Sequence, residues 1–369
     1  MRVKVLVLPG DGIGPEVVAP AVDVLQRTAA LFDHRLEIVE GLIGGRAVET
    51  QGRALPVETL QAAHEADAVL LGAVGTPELA EAPAHQRPEQ ALLELRRSLR
   101  LHANLRPILP RRELLDVSPL KRDRLEGVDL LIVRELTSGI YYGRPRAIHE
   151  DEDGARAIDT MAYQHGEIAR VTRLACEIAR SRRGRVTSVD KANVLDCSRL
   201  WRRVVNEVAA DFPDVVVEHR LIDAAAYELV AHPSRFDVVL APNLFGDILS
   251  DQCGALVGSL GLLPSASLGA GKGRRRFGLF EPVHGSAPDL VGTGRANPIA
   301  TIDSVALLFE LGLGLAEEAT SIRRAIEHAL AEGPLTPELA GDGPTATTEE
   351  LGTRVLERLT APSPLGHGG

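Results

Sequence analysis

Aromatic residues make up only 3% of the chain, too few to furnish the stacking platforms on which single-stranded nucleic acids are held. Positive charge is in deficit as well: 41 Lys and Arg stand against 51 Asp and Glu, a formal net charge of −10, which disfavours a phosphate-binding surface and argues against nucleic-acid partners. The one dense basic run, Lys272 to Arg276, lies in a glycine-rich stretch and reads as a solvated surface loop. Three cysteines, Cys176, Cys197 and Cys253, are widely spaced, with no CxxC and no histidine-rich neighbour, so neither a disulfide framework nor a zinc site is expected. No apolar run approaches the roughly 20 residues of a membrane span. The opening MRVKVLVLPGDG carries a short apolar run and no small-residue cleavage site, so it reads as a first strand, not a signal peptide, and a cytoplasmic protein is expected. What remains is an ordinary globular composition, and 369 residues make two domains the natural expectation.

Apolar periodicity then organises the chain. Strands are expected at 2–8, 36–40, 68–74, 102–109 and 129–136, with helices at 15–32, 56–66 and 89–100 between them. This alternation predicts an α/β fold with a largely parallel sheet and helical crossovers. Gly10, Gly12 and Gly14 resemble a dinucleotide fingerprint, but Pro15 stands where that pattern needs a small residue, so this is a non-Rossmann turn. Pro15 instead suits a first helical position. Alternating stretches between 137 and 163 suggest a β arm. Further elements are expected at 164–182, 185–190, 197–210, 215–220 and 222–231, then a glycine-rich region from about 255, and helices near 298–313, 317–332 and 347–360. The tail from Ala361 is expected to be disordered. Because the first and last hundred residues lack a partner sheet of their own, they are expected to combine as one discontinuous domain, 1–101 with 258–369, around an inserted domain at 102–257.

The stretch FDVVLAPNLFGDILSD, 236–251, reads as a strand buried on both faces, stopped by Pro242 and Asn243, and followed by a helix. Asp247 and Asp251 are four apart, which places like charges on one helical face about 5–6 Å from each other. Either they belong to a solvated helix start, favoured by the dipole, or they are hard oxygen ligands for a divalent cation. Their place past the carboxyl end of a strand is where open α/β sheets build sites. Asp223 opens the helix 222–231 as a third candidate ligand or as an N-cap. Arg96, Arg106, Arg134 and Lys191 stand at strand or helix ends, where an unpaired charge is costly. Each therefore pairs with a carboxylate of the protein or awaits an anionic ligand. Three arginines able to grip carboxylates in bidentate fashion suit a dicarboxylate held beside a metal. Tyr141, between the glycines of GIYYG, is a phenol a loop could present. A lysine beside a cation can serve as general base. The polar, glycine-rich segment 278–298 could wrap a nucleotide.

The stretches GDGIGPEV, LLGAVG, ANLRP, IVRELTSGIYYG, TSVDKANVL, NLFGDILSD, GLLPSASLG, EPVHGSAPD and ANPIAT, in that order from residue 10 to about 302, resemble the β-decarboxylating (isocitrate/isopropylmalate) dehydrogenases. The resemblance implies the family's two-domain, non-Rossmann fold with a β arm at a dimer interface, a homodimer whose sites are shared across that interface, NAD as oxidant, and Mg²⁺ or Mn²⁺. It makes Asp247 and Asp251 metal ligands from one subunit, with Asp223 and Lys191 supplied by the other. Arg96, Arg106 and Arg134 become the clamp on the malate backbone. Lys191 with Asp223 takes the C2 hydroxyl proton as hydride leaves, the β-carboxylate departs as CO₂, and Tyr141 protonates carbon 3. Glu89, Leu92 and Leu93 fall on the family's recognition helix, with Val194 facing them. Their leucine surface suits an isopropyl group and would leave a third carboxylate desolvated. The implied reaction is oxidative decarboxylation of 3-isopropylmalate in leucine synthesis, the alternative being another 3-substituted malate, tartrate or homoisocitrate. The cofactor-contacting positions carried over are Ile13, His284, Gly285, Ser286, Ala287, Asp289, Ala296 and Asn297, and the charge of Asp289 would favour NAD by repelling a 2′-phosphate. Tyr227, Ser138, Gln252 with Cys253, and the basic stretch GAGKGRRRF depart from the family pattern.

Overall fold

The computed structural model describes residues 1–151, 154–272 and 275–361; the tail expected to be disordered lies, past Ala361, outside the described residues. Strands are β1 (Arg2–Gly10), β2 (Arg35–Glu40), β3 (Ala68–Ala73), β4 (Ala103–Ile108), β5 (Leu130–Glu135), β6 (Arg146–Asp151), β7 (Gly154–Asp159), β8 (Arg185–Asp190), β9 (Val216–Leu221), β10 (Val238–Ala241), β11 (Pro264–Lys272) and β12 (Arg275–Pro282). Helices are α1 (Gly14–Leu31), α2 (Gly45–Gln51), α3 (Val57–Glu65), α4 (Pro88–Ser98), α5 (Arg122–Leu125), α6 (His165–Arg180), α7 (Asp196–Ala209), α8 (Ile222–Ala231), α9 (Asn243–Gln252), α10 (Gly254–Val257), α11 (Ile299–Leu307), α12 (Ala316–Ala331), α13 (Pro337–Ala340) and α14 (Thr348–Arg358). Among the described residues, no helix is long and apolar enough to cross a membrane.

The chain divides into two compact units. The first comprises Met1–Leu101, Arg111–Pro119 and residues 257 onward; the second comprises His102–Pro110 and Leu120–Leu256. In the first unit the strand order is β2-β1-β3-β12-β11, parallel except for the antiparallel pair β11/β12. Every residue of β3 is buried, as a strand covered on both faces requires. Helices α1, α11, α12 and α14 pack against one another. Gly352 of α14 meets Pro20 of α1 so closely that a Cβ there would lie 2.4 Å from the ring.

The second unit has the order β4-β5-β10-β8-β9. All its pairings are parallel except β4 with β5, which run antiparallel, so the expected crossover rhythm breaks at β4. The polar-flanked stretch after β5 forms the antiparallel hairpin β6/β7. Trp201 of α7 is fully buried, with its indole N–H donating to Ser188 Oγ at 3.1 Å.

One expectation fails for a physical reason, and one short element goes unread. The region after 255 is not a plain glycine-rich loop but carries the antiparallel pair β11/β12, in which Lys272 stands opposite Arg275 and Gly271 opposite Arg276; the rest of the basic run, 273–274, lies outside the described residues. Glycines at 269, 271 and 278 hid the strands because they lower β propensity; a Cβ at Gly271 or Gly278 would meet Arg276 or Phe280 at under 3 Å, so close packing demands glycine there. The short helix α2 was also invisible, since seven residues give too little periodicity.

The glycines of the first turn serve internal contacts. Gly10 has φ 75° and Gly12 φ 56°; a Cβ at Gly12 would sit 2.0 Å from the carbonyl oxygen of Ser286. Ile13 N–H donates to that same oxygen at 2.9 Å. The β1–α1 turn is thus shaped to lie against the 284–290 segment. Gly12→Ala should therefore destabilise the chain by about 2 kcal/mol or more, from left-handed backbone strain plus the clash, measured as a lowered urea midpoint against wild type.

Candidate active site

In the second unit, β10 is buried throughout and delivers the chain through Pro242 directly into α9, where Asn243 is the first helical residue. Asp247 and Asp251 are the fifth and ninth of ten residues, and the first turn contains no acid. Asp251 is in the last turn, where the helix dipole repels an anion. The reading of this pair as a dipole-favoured helix start therefore fails, and their charge must be balanced from elsewhere.

The balance comes from β4 and β5. Arg106 donates through Nη1 to Asp251 Oδ1 at 2.7 Å and through Nη2 to Asp247 Oδ1 at 3.3 Å. Arg134 Nη1 donates to the same Asp247 oxygen. Tyr141, on the 3-10 turn Gly139–Tyr141, donates its phenol proton to Asp247 Oδ2 at 2.8 Å, and the Arg134 guanidinium lies 5.6 Å from its ring centroid. Both arginine side chains are buried, at 7% and 3% exposed. The buried guanidiniums offset the repulsion between the two aspartates, Arg134 on Asp247 most strongly because both side chains are largely shielded from water, and Arg106 on Asp251 less because half of that carboxylate is exposed. Burial raises the Asp251 carboxyl above its ordinary pKa, helped by the charge of Asp247 and opposed by Arg106. Burial and then the Asp247 anion push the Tyr141 phenol up to about 12, so it carries its proton at neutral pH as a proton donor must.

Positions singled out in the sequence thus divide into clusters. Arg106, Arg134, Tyr141, Asp247 and Asp251 come together. Lys191 and Asp223 form a second group: Lys191, just past β8, donates through Nζ to Asp223 Oδ1 at 2.7 Å, and that hydrogen bond holds the exposed Asp223 carboxyl below its usual range. The N-cap position of α8 is Leu221 and Asp223 is the second helical residue, so its N-cap reading fails; in this chain its carboxylate pairs with Lys191. Among the described residues no three His, Cys, Asp or Glu side chains are grouped to hold a metal. One chain offers two hard carboxylates on one helical face, a donor set that fits Mg²⁺ or Mn²⁺ when further oxygens come from substrate, water or another chain.

In the first unit, Arg96 of α4 is buried and donates to Glu281 Oε1 of β12 at 2.5 Å. Leu92 and Leu93 on the same helix are half-buried, and Glu89 is exposed in its first turn. A Cβ on Gly75 would find Ser286 Oγ at 3.2 Å and Glu89 Oε1 at 3.4 Å, so Glu89 stands beside the 284–290 segment. Val194, in the second unit, is 60% exposed on the turn after Lys191.

The 284–290 segment forms a shelf. Ile13, Val17 and Ala296 make a buried apolar cluster, with Ala287 and Leu290 packed against it. Asp289 is exposed on the turn Pro288–Leu290, following Ala287 at φ 41°. Gly285 is exposed and Ser286 buried, while Asn297 donates to Glu338 Oε1 at 2.8 Å and caps Ile299 N–H at 3.0 Å. His284 donates from Nδ1 to the Gly285 carbonyl at 2.9 Å, and its buried Nε2 has no hydrogen-bond partner among the described residues. Burial lowers its pKa, so the neutral ring presents Nε2 as an acceptor. An apolar shelf, an orphaned acceptor and an exposed carboxylate fit an adenosine and its ribose diol.

Supporting residues went unnoticed in the sequence. Ser250 accepts from Arg106 Nη1 at 2.7 Å, and Asn104 accepts from Arg106 Nε at 2.9 Å. Buried Asp190 holds Ala192 N–H and the Arg202 fork, shaping the turn that carries Lys191. Buried Asp11 accepts from the backbone of Gly75 and Arg46. Asn104 and Asp190 show in the sequence only as polar residues of expected strands, and Ser250 and Asp11 carry no such mark. Gln252, a departure from the family pattern, donates to the Ala226 carbonyl and ties α9 to α8, and Tyr227 is 70% exposed on α8.

A chain of this fold, carrying carboxylates, guanidiniums and a protonated phenol at one helix, is built for chemistry on a small dicarboxylate. Residues 4–355 match the isocitrate/isopropylmalate dehydrogenase family model, and the chain belongs to that family. It is 49% identical to a 3-isopropylmalate dehydrogenase from Shouchella clausii over 98% of this chain and 99% of that one. Identity to the 3-isopropylmalate dehydrogenase of Bacillus subtilis is also 49%, with 98% and 99% covered. Among solved structures, an isocitrate dehydrogenase from Methylococcus capsulatus superimposes with TM-score 0.85 at 34% identity, covering 97% of this chain and 99% of that chain.

Gly246 shows how tightly the cluster is set. A Cβ there would lie 2.8 Å from both Cβ and Cγ of Arg134. Gly246→Ala gains up to about 1 kcal/mol of helix propensity, whereas overpacking costs about 1–3 kcal/mol. The variant should be less stable than wild type in thermal melting and raise the KM for substrate, because α9 must move off Arg134.

Proposed function

We propose that this chain catalyses the NAD-dependent oxidative decarboxylation of 3-isopropylmalate to 4-methyl-2-oxopentanoate and CO₂ in leucine synthesis. The observation that carries the reading is the meeting of Asp247, Asp251, Arg106, Arg134 and Tyr141 at α9. Asp247 and Asp251 would hold Mg²⁺ or Mn²⁺, which would supply Lewis-acid stabilisation of developing negative charge, with NAD as the hydride acceptor. Arg106 and Arg134, together with Arg96, grip the substrate's carboxylates. Lys191 with Asp223 takes the C2 hydroxyl proton. Tyr141 returns a proton to carbon 3 once CO₂ has left.

The relatives named 3-isopropylmalate dehydrogenases favour that substrate over the isocitrate of the structural neighbour, and the side chains agree. Leu92 and Leu93 offer no hydrogen bond to a third carboxylate, whose desolvation would go uncompensated. Ile13, His284 to Ala287, Asp289, Ala296 and Asn297 are assigned to NAD, which makes the first unit the nucleotide-binding domain and the second the metal, substrate and dimerisation domain.

The working form is a homodimer in which Asp223 and Lys191 of one copy complete the Asp247/Asp251 site of the other, with Val194 alongside and the β6/β7 arm at the interface. Tyr227, Val230 and Ile248, exposed on α8 and α9, supply its apolar contacts. NADH formation from 3-isopropylmalate should require the divalent cation and vanish with a chelator; turnover of isocitrate above isopropylmalate would overturn the substrate. Asp223→Asn and Asp251→Asn dimers should each be inactive. Mixed and refolded at 1:1, they should recover about a quarter of wild-type activity, since half the dimers regain one intact site of two. Sites built within one chain would recover none.

A further inference from the structure

We propose that Asn243 is the positioning residue that fixes Tyr141 and Arg134 relative to each other, an inference that rests on the roles just assigned to those two. Asn243 is fully buried, with 0% exposure, at the point where β10 becomes α9. Both ends of its amide are spent on the site. Its Oδ1 accepts from Arg134 Nε at 3.0 Å, and its Nδ2 donates to the Ser138 carbonyl at 2.9 Å, at the base of the turn that carries Tyr141. The Arg134 bond consumes the inner N–H of the guanidinium and points the outer nitrogens toward Asp247, as Nη1 shows.

The same turn is locked from its other sides. Glu135, buried and with its pKa raised by that burial, accepts from the backbone N–H groups of Thr137 and Ser138 at 2.8 and 3.0 Å. Tyr163, stacked edge-on against Trp201, accepts from Asn243 N–H at 2.8 Å. Its hydroxyl sits where a Cβ on Gly139 would meet it at 2.4 Å. Within this lattice Asn243 is the residue whose side chain joins the Arg134 strand to the Tyr141 turn while its own helix carries Asp247. A change there alters where the phenol proton is delivered without touching a reacting group.

Protonation of carbon 3 creates the test. In D₂O, a phenol held in one place delivers deuterium to one face, so the product carries it at one of the two carbon 3 positions, read by NMR after immediate trapping. A misplaced phenol leaves protonation to solvent and scrambles that label, whereas simple loss of stability lowers activity and leaves the label alone. Asn243→Asp keeps the acceptor for Arg134 and loses the donor to Ser138; it should lower kcat by up to about 100-fold and scramble the deuterium. Asn243→Ala, which breaks both links, should in addition raise the substrate KM. If an Asn243 variant does not fold, Tyr163→Phe, which removes only the acceptor for Asn243 N–H, carries the same test. Retained stereospecificity with kcat within about twofold of wild type in the folded variants overturns the inference. Tyr141→Phe distinguishes the two levels: if it scrambles the label and the Asn243 variants do not, only the role of Asn243 falls; if it keeps both label and rate, the role of Tyr141 falls first.

Discussion

Two aspartates on one face of α9 cannot coexist without positive charge, and the second unit is arranged to provide it. Asp251 lies at the helix end that repels an anion, so dipole and like-charge repulsion act together against it. Strands β4 and β5, the antiparallel pair in an otherwise parallel set, each bring a buried arginine to the same helix. Arg106 and Arg134 meet the aspartates as a charge-balanced cluster. On the proposed function, that balance is kept when a divalent cation takes the carboxylates and a dianionic substrate takes the guanidiniums. A site built from apolar residues could not make that exchange.

The phenol and the lysine obey the same constraint from opposite sides. Tyr141 shares its carboxylate with Arg134, and burial beside that anion keeps it protonated. Lys191 finds its counter-charge in Asp223, separate from the α9 cluster in this chain. On the proposed function, the base that takes the C2 hydroxyl proton and the acid that protonates carbon 3 are thereby held by different anions. Around the two arginines, uncharged groups do the aligning: Ser250 and Asn104 on Arg106, Asn243 on Arg134.

In the first unit, the turn glycines take on a different meaning once the fold is known. They look like a nucleotide cradle in sequence, yet Gly10 and Gly12 are spent on the carbonyls of Ala73 and Ser286. The β1–α1 turn supports the 284–290 segment, and it is that segment which presents Ala287, Asp289 and the free acceptor of His284. Pro15 in the sequence already ruled out the usual turn, because the ring cannot take the place of the third glycine, which lets helix and strand pack closely.

By itself, the sequence determined the α/β class, nearly every helix long enough to show its period, the buried strand before Asp247, and the residue types of the site, because periodicity and charge at strand ends are local properties. Only the tertiary structure decided that β4 runs antiparallel, that glycine-rich 264–282 is a hairpin, and which charges share an oxygen. Those outcomes turn on contacts that periodicity does not report: Arg106 meets Asp251, 145 residues away, and a Cβ on Gly278 would press on Leu268 across the β11/β12 pair. Spacing along the chain does not encode such distances, and the polar residues that hold the arginines in place look, in sequence, like any other serine or asparagine.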